Sequence, residues 1–193
     1  MDYQKTVRIL VGPEENVFTA PESLLVEKSD LFRAACTKPW KEAVEGTVRL
    51  PGISREQFND YLTWVYKDVV ASPFPPDKGI NDHDDDRWDL YTDHWITGNR
   101  LGDTKYRNSA VTALMKLGWD CIWGPNRDVI NKTWEHVGDK SPMRGLLVDS
   151  YVSYQDHVSI VPRHKFNQEF MEEVNVQHWT SPNALTVGCV PKA

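Results

Sequence analysis

Residues Val7 to Asp68 read VRILVGPEENVFTAPESLLVEKSDLFRAACTKPWKEAVEGTVRLPGISREQFNDYLTWVYKD, and the order of elements in this stretch decides the fold. Val7, Ile9 and Val11 alternate with Arg8 and Leu10 up to Gly12-Pro13, which predicts a short strand. Val17-Phe18-Thr19 follows a turn built from Gly12, Pro13 and Asn16, so the two strands form a hairpin. Thr19 is placed to cap a helix with Pro21 in its first turn, where a missing N–H costs nothing. That helix carries Leu24, Leu25 and Lys28 and stops at Ser29. Ser29 then caps a second helix, with Asp30 favoured in its first turn by the helix dipole and Leu31, Phe32, Ala35 and Cys36 on its apolar face. Thr47 to Leu50 alternates again and ends at Pro51-Gly52, a third strand. Ser54 and Gln57 have capping-box spacing, and Phe58, Tyr61, Leu62 and Val65 give Ser54 to Lys67 one apolar helical face.

Beyond Asp68 the pattern changes. Thr37 to Gly46, earlier in the chain, is a charged loop with Pro39 and Trp40, and Val69 to Arg87 is a second irregular stretch. Ser72-Pro73-Phe74-Pro75-Pro76 cannot continue a helix and is expected to be extended. Asn81 to Asp86 is acidic, and residues 77–87 are read as a solvated loop. A divalent-cation site and a partner-docking loop are the other readings of the same residues, although the glycine-bearing calcium-loop spacing is absent. Trp88 to Gly102 predicts a helix with Leu90, Tyr91, His94, Trp95 and Gly98 on one face and a stop at Leu101-Gly102. Lys105 to Leu117 predicts another, with Tyr106, Ala110, Val111, Leu114 and Leu117 together; the two should form a hairpin packed on the helix at Ser54–Lys67. Gly118 to Pro125 reads as an aromatic-rich loop. Arg127 to Val137, capped by Asn126, then Ser141 to about Tyr154 with Pro142 in the first helical position, and Phe166 to Val174 are the remaining helices.

Composition bounds the function. A chain of 193 residues, 40% hydrophobic and 26% charged, is one domain or one domain with an extension; at this size it buries roughly 70% of its unfolded surface and needs no covalent staple. A net charge of −6 argues against a nucleic-acid surface, which requires clustered Lys and Arg. Cys36, Cys121 and Cys189 lack metal-ligand spacing and read as reduced thiols of a cytoplasmic or nuclear protein. No signal-like leader and no apolar run approaching twenty residues is seen, so neither export by that route nor a membrane partner is expected. Asn131-Lys132-Thr133 fits a glycan acceptor, which has no meaning in such a compartment. Eight tryptophans imply a rigid core or an adhesive surface, and composition does not say which.

The ordered set Val7–Gly12, Phe18, Leu24-Leu25, Ser29 to Cys36, Trp40-Lys41-Glu42, Val48-Arg49-Leu50, Phe58 and Trp64-Val65-Tyr66 resembles the BTB/POZ domain in its fungal form. The Leu-Gly pair at 101–102 and the run Ser141-x-x-Arg144-x-Leu146-Leu147-Val148-Asp149 extend the resemblance to about residue 155. It implies an α+β chain of the BTB/POZ fold, a small three-stranded sheet with a helical core and a C-terminal helical extension. The domain would span 1–118 and the mostly helical extension 119–193. Some members carry an additional strand and helix before the hairpin and exchange them in a dimer; residues 1–6 leave no room for these. The connection after the third long helix carries Pro75-Pro76 and aspartates where the family has a hydrophobic residue and a glutamate against a cullin.

Chemistry is not written in the chain. There is no nucleophile elbow, phosphate-cradling glycine loop, HExxH, CxxC or Cys–His pairing, and Asp84-Asp85-Asp86 and Glu172-Glu173 lie in stretches that read as exposed. His94 has no neighbouring nucleophile and is read as a partly buried histidine with one hydrogen bond. The expectation is a protein that is not an enzyme and has no cofactor or metal. The resemblance implies a protein–protein interaction module that assembles with itself, with another BTB protein or with a cullin scaffold, in the last case as a substrate adaptor for a ubiquitin ligase. The contact surface it implies is Tyr61, Tyr66, Lys67, Asp68 and Val69, with Asp93 and His94 nearby.

Overall fold

The computed structural model describes residues 5–37, 46–73, 84–120, 125–154 and 165–180. The elements are β1 (Thr6–Val11), β2 (Asn16–Pro21), α1 (Glu22–Lys28), α2 (Asp30–Thr37), β3 (Thr47–Leu50), α3 (Arg55–Lys67), α4 (Asp84–Leu101), α5 (Thr104–Asp120), α6 (Arg127–His136), α7 (Pro142–Tyr154) and α8 (Gln168–Thr180). The class is α+β. The chain forms two compact units: one comprises the chain through α3 with most of α4 and α5, and the other the opening of α4 to Trp88 with the chain from Leu117 onwards.

In the first unit the sheet order is β2-β1-β3, with β1 antiparallel to β2 and parallel to β3. Val7, Ile9 and Val11 face the core as the alternation predicts, and Leu10 on the opposite face of this central strand is buried too. The hairpin turn is Gly12 to Glu15, with Gly12 at φ 75°, and Asn16 already belongs to β2. Thr19 is not a cap. It lies in the strand opposite Arg8, and α1 starts after Pro21 with the Glu22 N–H donating to the Lys5 carbonyl. Ser29 does cap α2: its Oγ accepts from the Phe32 N–H at 3.2 Å. The Ser54–Gln57 capping box is complete in both directions. Phe58, Tyr61, Trp64 and Val65 of α3 are buried in one cluster with the sheet, Leu25 and Phe32. Each such side chain contributes about 1.5–3 kcal/mol relative to exposure.

The turn from α4 to α5 joins the helices to α3. Leu101 ends α4, and Gly102 at φ 68° lets the Asp103 N–H reach the Gly98 carbonyl at 2.9 Å and its own N–H reach Asn99 at 3.3 Å. This double bond pattern closes a helix through a left-handed residue. The Leu101 carbonyl accepts from Ser29 Oγ at 2.5 Å, so the residue that starts α2 also receives the end of α4. Asp103 then caps α5, its Oδ1 accepting from the Tyr106 N–H at 2.9 Å. Its Oδ2 accepts from Trp64 Nε1 at 2.9 Å and Tyr61 Oη at 3.2 Å. The carboxylate is buried and carries three donors from two helices. At Gly98 a Cβ would stand 2.9 Å from Arg107 Cγ and 3.2 Å from its backbone nitrogen, so glycine sets how closely α4 and α5 approach.

Two boundaries differ from the sequence reading. Asp84, Asp85 and Asp86 are not loop but the opening residues of α4, a position in which aspartate is a favoured residue type. Gly118, Trp119 and Asp120 likewise continue α5 rather than beginning a loop, because a glycine within a helix weakens it without ending it. The α4 face is also wider than the spacing indicates: Thr92, Ile96 and Thr97 are buried along with His94 and Trp95. Residues 38–45, which hold Pro39 and Trp40, and the stretch from Phe74 to His83 lie outside the described residues, as do Cys121 and Cys189.

The second unit is built around Arg144 of α7, 4% exposed. Its guanidinium donates to the Val137 carbonyl at 3.0 Å and the Trp134 carbonyl at 3.3 Å, satisfying the C-terminal end of α6. It stacks over the Trp134 ring at 4.9 Å and pairs with Glu169 of α8 at 3.0 Å. Asn131 of α6 completes the attachment of α8: it donates to the Lys165 carbonyl and accepts from the Asn167 N–H at 2.8 Å. The Asn131-Lys132-Thr133 acceptor pattern is thus a structural clamp, with Thr133 buried. Phe166, Phe170 and Val174 face inward as their spacing predicts, although Phe166 precedes α8.

Asp103→Ala removes the α5 cap and leaves the Tyr61 and Trp64 donors unpaired in the core, so urea unfolding should show a loss of about 3–5 kcal/mol. In the second unit, Arg144→Met should cost about 2–4 kcal/mol by stranding the α6 carbonyls, and Glu169→Gln, at an exposed carboxylate, under about 1 kcal/mol. Equal losses from the two would mean that the carbonyl bonds contribute nothing.

Candidate interaction surface

The last turn of α3 presents the exposed end of the helix that the core otherwise encloses. The Asp68 N–H donates to the Trp64 carbonyl at 2.9 Å, and Asp68 takes a left-handed conformation, φ 54°, which aspartate tolerates better than most residues. Lys28, at the end of α1, pairs with the Asp68 carboxylate and lies 5.1 Å over the Trp64 ring, so its mostly buried stem and its charge both hold this turn. Tyr66 and Val69 project outward, 54% and 56% exposed, with Lys67 and Asp68 exposed between them. They are two of the few large apolar side chains that face solvent in the described chain.

The continuation of the strip is held from behind. The Ala71 carbonyl accepts from His94 Nε2 at 2.8 Å. A carbonyl only accepts, so Nε2 carries a proton, and in the neutral ring Nδ1 accepts from Tyr106 Oη at 2.8 Å. Both ring nitrogens are engaged, burial favours the neutral ring, and Tyr91 packs on it edge-on at 5.9 Å. Burial lowers its basicity, opposed by the Ala71 bond and by the charges of Asp60 and Asp93. Burial also pushes the Tyr106 phenol, and the Tyr61 phenol beside Asp103, far above their usual range. Asp60, half-buried on α3, is raised by the same desolvation, with His94 working against it.

The residues singled out in the sequence thus divide. Tyr66, Lys67, Asp68 and Val69 form one exposed strip. Tyr61 and His94 are interior: the first belongs to the Asp103 network, and the second supports the strip from below with two hydrogen bonds, not one. Asp93 is half-buried on α4. Sequence reasoning missed Lys28, Asp103 and Ala71, whose partners lie 40, 39 to 42 and 23 residues away in the chain. Asp103 alone had a local signal, an acid after Leu-Gly and three residues before the apolar Tyr106. The tryptophans with described side chains, Trp64, Trp88, Trp95 and Trp134, are all buried and belong to the interior.

His94, with both nitrogens committed, is not free to act as a base, and desolvation raises the Cys36 thiol above its ordinary value, which makes it a poor nucleophile. Among the described residues no group of three His, Cys, Asp or Glu could hold a metal ion, and no helix is long and apolar enough to cross a membrane. No protein-family model matches the sequence, and no curated protein gives a match.

The state of His94 sets a pH dependence. Its folded value lies below the ordinary 6.5, so above that pH both folded and unfolded chains are neutral there, and below it the unfolded chain takes up a proton that the folded chain refuses. Stability therefore falls as pH falls. The urea midpoint should drop between about pH 7.5 and about pH 5, and by less in His94→Gln; a drop of the same size in the variant would place the titration elsewhere.

Proposed function

We propose that this chain is a non-catalytic protein–protein interaction module of the BTB/POZ kind, which works by burying the Tyr66–Val69 strip against a partner. The observation that carries the reading is the strip itself. A tyrosine and a valine are exposed over a turn fixed by the Lys28–Asp68 pair, at the end of a helix whose other face is locked into the core. An aromatic anchor on a pre-formed turn loses little conformational freedom on binding, which is the property of an interface hot spot.

Two further features support it. The order strand, strand, helix, helix, strand, helix and a small three-stranded sheet agree with what the resemblance implies. His94, Tyr61 and Tyr106 are shifted by burial in the core and bond to the Ala71 carbonyl, to the Asp103 carboxylate or to one another, an arrangement that serves packing. Assembly with a second copy or another BTB protein is the leading form of the function. Adaptor activity toward a cullin scaffold is the narrower form, since the resemblance places that contact at this end of the third long helix.

The test is mass by light scattering over a concentration series, alone and with a purified cullin scaffold. Self-association or a one-to-one complex should weaken at least about tenfold in Tyr66→Asp/Val69→Asp, with the circular dichroism spectrum unchanged. A dimer indifferent to the scaffold selects assembly, and a monomer that binds the scaffold selects the adaptor. Association untouched by the double substitution would reject the strip.

A further inference from the structure

We propose that the free edge of β2 is a second interaction surface, on which another copy of this chain pairs its own β2 antiparallel about a two-fold axis at Phe18, joining the two three-stranded sheets into one. The proposal goes beyond the Tyr66–Val69 strip, which lies on another element and takes no part in it.

The register decides which backbone groups are spare. β2 is an edge strand, since the sheet order is β2-β1-β3. The Glu22 N–H donates to the Lys5 carbonyl, while the Arg8 and Gly12 N–H groups point the other way, to the carbonyls of Gly46 and Leu50. Bonded pairs alternate along an antiparallel ladder, so Val7 with Ala20, Ile9 with Phe18 and Val11 with Asn16 exchange the bonds between β1 and β2. Val17 and Thr19 therefore aim both N–H and C=O away from the sheet. Pro21, which has no N–H, ends this edge on one side, and the hairpin turn at Glu15 ends it on the other.

Edges that face water commonly carry a charged side chain, which opposes pairing. Asn16 to Pro21 carries none, and Val17 is 58% exposed. Leu10 lies beside Val17 on the outer face of the sheet; on the core face Phe18 is only partly buried, edge-on to Phe58 at 5.0 Å. Pairing about Phe18 sets Val17 against Thr19 of the second copy, and Thr19 against Val17 of the second copy. Every outward N–H of these residues then meets an outward carbonyl, both valines are covered, and the two Phe18 side chains become a cross-strand aromatic pair.

The charges favour a second copy as the occupant. The hairpin has an acidic end at its turn, where Glu14 accepts only from Asn16 Nδ2 and Glu15 lies 3.8 Å from Arg49. Its open end is basic: Lys5 is paired with Glu22, and Arg8 is exposed and makes no ion pair among the described residues. Antiparallel pairing about Phe18 lays the acidic turn of each copy beside the basic end of the other. Glu15 comes opposite Pro21 and two residues from Thr19, whose neighbour on β1 is Arg8. The reverse strand direction would bring like charges together. The edge is thus its own complement in length, in hydrogen-bonding groups and in charge, as a two-fold interface requires.

Amide hydrogen exchange read at single residues of the full chain, over a concentration series followed by light scattering, tests the pairing. In dilute protein Val17 and Thr19 should exchange freely, while Phe18 and Ala20 are protected by their bonds to β1. As dimer forms, the Val17 and Thr19 amides should together gain at least about tenfold protection, and they should do so equally in Tyr66→Asp/Val69→Asp. Val17→Lys puts a charge on the edge without touching a bond of the hairpin; it should abolish the gain and weaken association at least about tenfold, with the circular dichroism spectrum unchanged. A chain that stays monomeric at every concentration, a dimer whose Val17 and Thr19 amides stay unprotected, or protection already present in the dilute monomer overturns the proposal. Pairing through β2 combined with a strip that binds nothing would overturn the Tyr66–Val69 reading alone.

Discussion

The first unit depends on one buried carboxylate. Asp103 sits where α4 has just stopped and α5 is about to start, and it satisfies a backbone donor of α5 and two side-chain donors of α3 at once. A charge in a core is expensive unless it is fully hydrogen-bonded, and three donors to two oxygens meet that condition. The consequences run outward from it. Trp64 and Tyr61 are fixed in rotation about α3, which fixes which residues of its last turn face solvent. Tyr106 is fixed at the third position of α5, which brings its hydroxyl to His94 and, through His94, to Ala71. The exposed strip is therefore a consequence of the interior, since the network that orders the core also determines which way Tyr66 and Val69 point.

The glycines and Ser29 make that geometry attainable. Gly102 lets α4 end in the left-handed turn that aims Asp103 inward, and a Cβ there would meet Asp30 Cβ at 3.0 Å. Gly98 lets the two helices approach closely enough for Tyr106 to reach His94. Ser29 uses one hydroxyl twice, accepting from α2 and donating to the last carbonyl of α4, so the start of one helix and the stop of another are a single contact. Aromatic packing fills the space between: Tyr61 and Trp64 meet the Tyr106 ring at 5.3 and 5.5 Å.

What the sequence made legible was what is local. The capping box at Ser54–Gln57, the caps at Ser29, Asn126 and Ser141 and the three strands all rest on residues within four positions of one another, where spacing alone carries the signal. The Asp103 network, the Lys28–Asp68 pair and the His94 bond to Ala71 join residues distant in the chain, and no periodicity reports them. Two local readings failed for a physical reason as well. Aspartates at 84–86 read as loop because charge runs usually are solvated, yet aspartate is equally common in the first turn of a helix, where these residues lie. Gly118 read as a stop, although a glycine closes a helix by taking the left-handed conformation, as Gly102 does, and within a helix it only weakens it. Arg144 stood out only as part of a pattern, and its hold on the α6 carbonyls depends on the fold of the second unit.

Asp103 couples α3 to the α4–α5 turn, and a double-mutant cycle between Asp103 and Trp64 measures that coupling. Asp103→Asn keeps an acceptor and Trp64→Phe keeps the bulk of the ring, so the cycle isolates the bond between them. Urea unfolding of the two single variants and the double variant should give a coupling of about 1.5–3 kcal/mol, the range for a hydrogen bond to a charged group. A coupling indistinguishable from zero would mean that the carboxylate and the indole act independently, and the account of how the interior sets the exposed strip would fail with it.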